Sequence, residues 1–217
     1  MVGLTGALDN NRVVIAKSFD SADATLDMSS FGSVNNTEEN TSANGWYATN
    51  HGKLILPSVA VDGDGSYNWG EASADGTIDL VNSMSVTLSG AGSGDLDVAL
   101  LATDRSDVIG DDDMTFIGVW DVSTDATFSG AVLTMRYDDA LAASLSIDEA
   151  DLQLFHYTGG NWVDVSGSID TTNNWITSSS VGSFSQFAVG IPEPATLAVL
   201  LIGGCLSLLG RHRNRKS

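Results

Sequence analysis

Five carboxylates fall within ten residues of this chain, at Asp104, Asp107, Asp111, Asp112 and Asp113. Calcium takes about six to eight oxygen ligands, and aspartate clusters supply them without histidine or cysteine. Calcium is therefore the one cofactor this patch suggests, with a solvated acidic turn between strands as the competing interpretation. Two further turns share the composition. Asp62-Gly-Asp64-Gly starts like an EF-hand loop, but Tyr67 stands where that loop needs glycine and Ser73 where it needs glutamate. Asp138-Asp139 follows a strand-like run. Sugar recognition is the second chemistry on offer: Trp46, Tyr47 and Trp69, with Tyr67 and Trp162, lie near turn-like sequence, where ring faces would stack on sugars if they escape the commoner fate of core packing.

Catalytic chemistry has few places to reside. No HExxH, GxSxG, phosphate-loop or dinucleotide pattern is present. A Ser-His-Asp arrangement in the body of the chain would need His51 or His156, the first beside a glycine and the second inside a strand-like run. Glycoside hydrolysis needs two carboxylates at a set separation, but among 28 acids pairs arise from abundance alone. No catalytic residue is assigned, and the expectation is a protein that is not an enzyme.

The elements that must position these groups read as short strands. Apolar residues alternate with Ser and Thr in Met84, Val86 and Leu88, and again in Ala131, Leu133, Met135 and Tyr137, the pattern of a sheet with one buried face. Comparable runs cover Val13 to Ile15, Lys53 to Leu56, Val59 to Val61, Leu96 to Leu101, Thr115 to Trp120, Leu152 to Tyr157, Trp162 to Val165, Trp175 to Thr177 and Phe184 to Val189. Gly159-Gly160 between Tyr157 and Trp162 predicts a hairpin. Helix signals are confined to Ala140 to Asp151, where Ser146 and Glu149 have capping-box spacing. Residues 32 to 45 read as a long solvated loop. Many short strands with little helix predict an all-β domain, a β-sandwich or jelly roll, over residues 1–190.

Up to residue 190 five cations face 27 acids, a net charge of about −22 that repels phosphate backbones and argues against nucleic acid as a partner. The single cysteine, Cys205, leaves the domain without a disulfide. Met1 to Asn11 lacks the basic and apolar runs of a secretory signal, so an exported protein would need a start upstream of this one.

Residues 191–217 have a different character. Pro192-Glu193-Pro194 precedes sixteen uncharged residues, 195–210, followed by Arg211, Arg213, Arg215 and Lys216. As a helix the uncharged run spans about 24 Å against a hydrocarbon core of about 30 Å. Snorkelling basic side chains can make up the difference, and they would hold that end in the cytoplasm. Pro194 suits a first helical turn, and Glu193 is favoured beside its positive dipole end.

This ordered trio of proline motif, short apolar run and basic stop closely resembles the PEP-CTERM sorting domain of Gram-negative bacteria. The resemblance implies that Pro192, Glu193 and Pro194 form the signal recognised by an exosortase-type membrane protease or transpeptidase, with Arg211, Arg213, Arg215 and Lys216 as the stop. Ile191 in place of the commoner valine, and His212 and Asn214 within the basic end, are its departures. It further implies export, a transient stay in the inner membrane and delivery to the cell surface or extracellular matrix, in bacteria that make exopolysaccharide. Ser129 to Gly190, with Leu152-Gln-Leu-Phe-His-Tyr157 and Phe184-Ser-Gln-Phe-Ala-Val-Gly190 among its landmarks, also resembles a β domain of surface proteins with such tails. The expected role is structural or adhesive, with a carbohydrate-binding module for exopolysaccharide as the alternative and a polysaccharide hydrolase third.

Overall fold

The computed structural model describes residues 13–19, 22–29, 45–69, 81–110 and 113–192. They form an all-β body of two large sheets and one small one. Fifteen strands run in chain order: β1 (Val13–Lys17), β2 (Ala24–Asp27), β3 (Gly45–Thr49), β4 (Gly52–Ile55), β5 (Val59–Val61), β6 (Gly65–Trp69), β7 (Met84–Ser89), β8 (Gly94–Leu101), β9 (Met114–Thr124), β10 (Gly130–Arg136), β11 (Gln153–Thr158), β12 (Asn161–Asp164), β13 (Ser166–Asp170), β14 (Trp175–Ser178) and β15 (Gln186–Pro192). The eight-stranded sheet follows the order β12-β11-β15-β9-β8-β4-β2, with β5 also paired to β8. The five-stranded sheet runs β13-β14-β10-β7-β6, and β1 pairs with β3 in parallel.

Alternation decides which face each residue takes. Leu96, Val98 and Leu100 of β8 meet Met84, Val86 and Leu88 of β7 and Ala131, Leu133 and Met135 of β10 in one core, so the two large sheets share a single buried interior. Trp120, Phe187 and Leu54 are wholly buried there. The opposite face of the eight-stranded sheet also carries apolar residues: Ala99, Leu101, Val119 and Ala188 form a second cluster.

The hairpin at Gly159-Gly160 is present, with Thr158 opposite Asn161 and both glycines at positive φ, as a two-residue turn requires. The helix differs from expectation. It spans only Asp139–Ser144, capped by Asp138, whose side chain accepts from the Leu141 amide. Ser146 sits at φ +60° and starts nothing; Asp148 caps the short 3-10 turn Glu149–Asp151 instead. An N-cap residue needs extended backbone, which Asp138 and Asp148 have and Ser146, in the left-handed region, does not.

His156 on β11 faces the core, 3% exposed and stacked on Phe187 with ring centroids 4.2 Å apart, and its Nε2 has no hydrogen-bond partner. Burial pushes its pKa below 6.5. The unfolded chain then binds a proton near pH 6.5 that the folded one refuses, so stability is full above that pH and falls as pH drops towards the folded pKa. Between pH 7.5 and 5.5 the urea midpoint should fall, and His156→Leu should flatten that dependence by at most about 1.4 kcal/mol per pH unit. Equal slopes in the two proteins would exclude His156 as the cause.

Candidate functional site

The densest acidic segment leaves β8 at Leu101 and folds back across the outer face of the eight-stranded sheet. Arg105 organises it. Its Nε and Nη2 donate to the two carboxylate oxygens of Asp107 at 2.6 and 3.0 Å, and its Nη1 donates to the carbonyls of Ala24 and His51, both at 2.8 Å. One guanidinium thus ties the loop to the start of β2 and to the turn entering β4, which lie side by side as a parallel pair. Further along, the Gln186 side chain donates to the Asp107 carbonyl and accepts from the Ile109 amide, while the Trp162 indole donates to the Ile109 carbonyl. Val108 and Trp162 pack on Ala99, Leu101, Val119 and Ala188. The segment serves as a strap that keeps water off an apolar patch.

This geometry engages two of the five carboxylates proposed for calcium, Asp104 and Asp107. Asp107 is held below the usual carboxylate range by hydrogen bonds from Arg105, and Asp23, beside it, by the Ser106 hydroxyl. Asp104 accepts from the His51 amide at 2.8 Å. A guanidinium among these groups also opposes a second cation. Asp113 lies one residue before β9, whereas Asp111 and Asp112 lie outside the described residues. Among the described residues no group of three or more His, Cys, Asp or Glu side chains is placed to hold a metal ion. The acidic turn at Asp62–Asp64 has partners too: Asp64 accepts from the Ala91 amide, 27 residues on, and Tyr67 donates to the Gly63 carbonyl.

His51 stands between Asp23 and Asp104, with nitrogen to oxygen distances of 3.8 and 3.9 Å. Ser106 bonds to Asp23 and not to the imidazole. A nucleophilic serine needs the histidine between hydroxyl and carboxylate; here the carboxylate is in the middle, so the hydroxyl has no base. His156 is inside the core.

The aromatic candidates separate. Trp46 and Trp69 are 1% and 2% exposed and belong to the main core. Neither can offer a ring face to a sugar, which corrects the expectation for both. The Trp69 indole donates to the Pro57 carbonyl at 2.8 Å; the Trp46 Nε1 has no partner. Tyr47, next in the same strand, is half-buried, and burial first, then the Asp138 carboxylate, pushes its hydroxyl pKa up. The sheet instead gathers Phe116, Tyr157 and Trp162, with Trp162 ring centroids 4.9 Å from Phe116 and 5.4 Å from Tyr157, under the acidic strap.

Arg105 was missed as the organiser of this region. Its signal was present: one of only five cations before residue 191, it sits inside the run Asp104-Arg105-Ser106-Asp107.

Pro192 is the last residue of β15, opposite Met114, with Ile191 opposite Thr115. Glu193, Pro194, the apolar run 195–210, Arg211, Arg213, Arg215 and Lys216 lie outside the described residues. Among the described residues no helix is long and apolar enough to cross a membrane. Comparison of the chain with protein-family models, with curated proteins and with solved structures finds no match.

Proposed function

We propose that this is an exported, non-enzymatic protein, sorted through its C-terminal Pro-Glu-Pro signal to the cell surface or extracellular matrix, where it has a structural or adhesive role. The finer architecture proposed with it is a β-sandwich or jelly-roll-like domain followed by one short membrane helix at 195–210. The observation that carries the reading is the order of the tail: Pro192-Glu193-Pro194, a sixteen-residue uncharged run and four cations in the last seven residues. A span of about 24 Å is short for a lasting anchor, which suits a temporary hold before processing.

An exosortase-type membrane protease is the proposed partner, and exopolysaccharide the proposed surroundings. Burial of Trp46 and Trp69, two of the three indoles considered for sugar stacking, favours the structural reading over sugar binding through those rings.

The test compares the intact chain with the triple variant Pro192→Ala, Glu193→Ala, Pro194→Ala in a Gram-negative host that carries such an enzyme. Surface release is expected to fall by about tenfold or more, equivalent to at least about 1.4 kcal/mol of lost recognition. Equal release would overturn the reading.

A further inference from the structure

We propose that the guanidinium of Arg136, at the end of β10, is the centre of a binding site for a carboxylate on the outer face of the five-stranded sheet, beside Trp175. The site belongs to the folded domain and is independent of how the tail is sorted.

Alternation along β10 sends Ala131, Leu133 and Met135 into the core, so Arg136 emerges on the opposite face. Ile176 of β14, opposite Met135, faces inward too, which puts Trp175 on the outer face directly opposite Arg136. In the next row the hydroxyls of Thr134 and Thr177 lie 3.3 Å apart. The backbone of Arg136 is fully paired: its N–H donates to the Ser83 carbonyl and its carbonyl accepts from the Asn82 amide, both at 2.9 Å. Its side chain is not. The residue is 8% exposed, yet Nε and Nη1 are buried without a hydrogen-bond partner. Among the described residues the ion pairs belong to His51, Lys53 and Arg105, and none to Arg136. Asp138 follows closely in sequence, but its carboxylate accepts from the Leu141 amide as the cap of the helix.

His156, the other buried side chain here that can carry a positive charge and has an unpartnered nitrogen, meets burial by giving up its proton more readily. Arginine has no such escape, because its guanidinium stays charged at any pH a folded protein survives. Arg105 shows how this fold normally treats a buried guanidinium: its nitrogens are engaged by Asp107 and by two carbonyls. A cation held away from water without an anion or acceptors is among the costliest features a fold can carry. In a domain with 27 acids before residue 191, a carboxylate for Arg136 would be easy to supply from within. Donors left over at a buried charge instead suit an anion that comes from outside the fold.

The surroundings select a carboxylate among anions. Guanidinium donors are planar and match the two oxygens of a carboxylate. The Tyr47 hydroxyl, whose pKa is raised first by burial, also feels the charges of Asp138 and Asp139 and, in the opposite sense, that of Arg136. Two acids so near would repel a doubly charged phosphate more than a singly charged acid. Trp175 is half-buried, and residues directly opposite in an antiparallel pair have Cβ atoms about 5 Å apart, so its side chain offers apolar surface to the body of an organic acid. Small free acids and the uronate units of glycans both present this group, and acetate and glucuronate stand for the two sources.

The test follows thermal unfolding of the full chain at constant ionic strength, with sodium acetate or sodium glucuronate replacing sodium chloride, so that screening of the acidic surface is the same throughout. Acetate at ten times its dissociation constant is expected to raise the melting temperature by about 3 to 6 °C over chloride, and Arg136→Met should abolish the rise. In chloride alone Arg136→Met should melt about 3 °C or more above the unmodified chain, because methionine fills the space with no charge to bury. Calorimetric titration of acetate into the unmodified chain reads the same binding without any variant, and Arg136→Lys should weaken it several-fold. Glucuronate bound at least as tightly as acetate assigns the glycan source, and weaker binding the free acid; either result supports the site. Three results would each overturn it: neither acid raising the melting temperature above chloride, phosphate raising it as much as acetate, or a folded Arg136→Met protein melting below the unmodified chain in chloride.

Discussion

Arg105→Ala is expected to destabilise the domain by about 3 kcal/mol, a drop in melting temperature of roughly 6 to 12 °C. The side chain is 6% exposed and makes four hydrogen bonds. The Asp107 carboxylate is 44% exposed, so water screens its share of the ion pair. Most of the loss comes from the carbonyls of Ala24 and His51, which lose a charged donor, and from the strap above Leu101 and Val119 coming loose. Arg105→Lys should recover less than half of it, because an ammonium cannot make the planar fork to Asp107 while also bonding two carbonyls. Urea and thermal unfolding of the three proteins decide the matter; a loss below about 1 kcal/mol for the alanine variant would show that the strap is held by its apolar contacts alone.

Trp46→Ala should cost about 4 kcal/mol, the scale of removing a large aromatic from a packed core. A paired experiment separates packing from polar terms. Trp46 has an indole nitrogen without a partner, whereas Trp69 donates to Pro57. Trp46→Phe should therefore cost less than Trp69→Phe, by about 1 kcal/mol, the net worth of one hydrogen bond. Both phenylalanine variants keep the core filled, so both should fold and should leave any affinity for soluble polysaccharide unchanged. A selective loss of polysaccharide binding in a folded Trp46→Phe protein would show that this ring reaches a ligand after all.

Much of the fold was legible. Eleven of the fifteen strands overlap apolar runs visible in the chain, because a half-buried strand writes its burial into every second residue. The four others, β2, β3, β6 and β13, have sequences such as Gly-Ser-Tyr-Asn-Trp and Ser-Gly-Ser-Ile-Asp. All four lie at a sheet edge or in the small sheet, where periodicity leaves a weaker mark. Capping was misplaced for a related reason: Ser146 has the right spacing to Glu149, but the local choice between Ser146, Asp138 and Asp148 depends on where the chain turns in space.

The candidate site was less legible than the fold. Charge density pointed to the segment from Asp104 to Asp113, yet two of its acids, Asp107 and Asp104, serve an arginine and the turn entering β4, which is distant in sequence. Arg105 reaches Ala24 across 81 residues and His51 across 54. No local pattern encodes such a meeting. The same holds for Trp46 and Trp69, whose proximity to turns suggested exposure until the packing of two sheets enclosed them. By itself the sequence determined the all-β character, the Gly159-Gly160 hairpin and the composition of the tail, because alternation, turn chemistry and uncharged length are properties of neighbouring residues. Tertiary structure alone decided which carboxylates are spoken for, which indoles are buried and that the ladder runs through Pro192, since each depends on which distant backbone lies alongside.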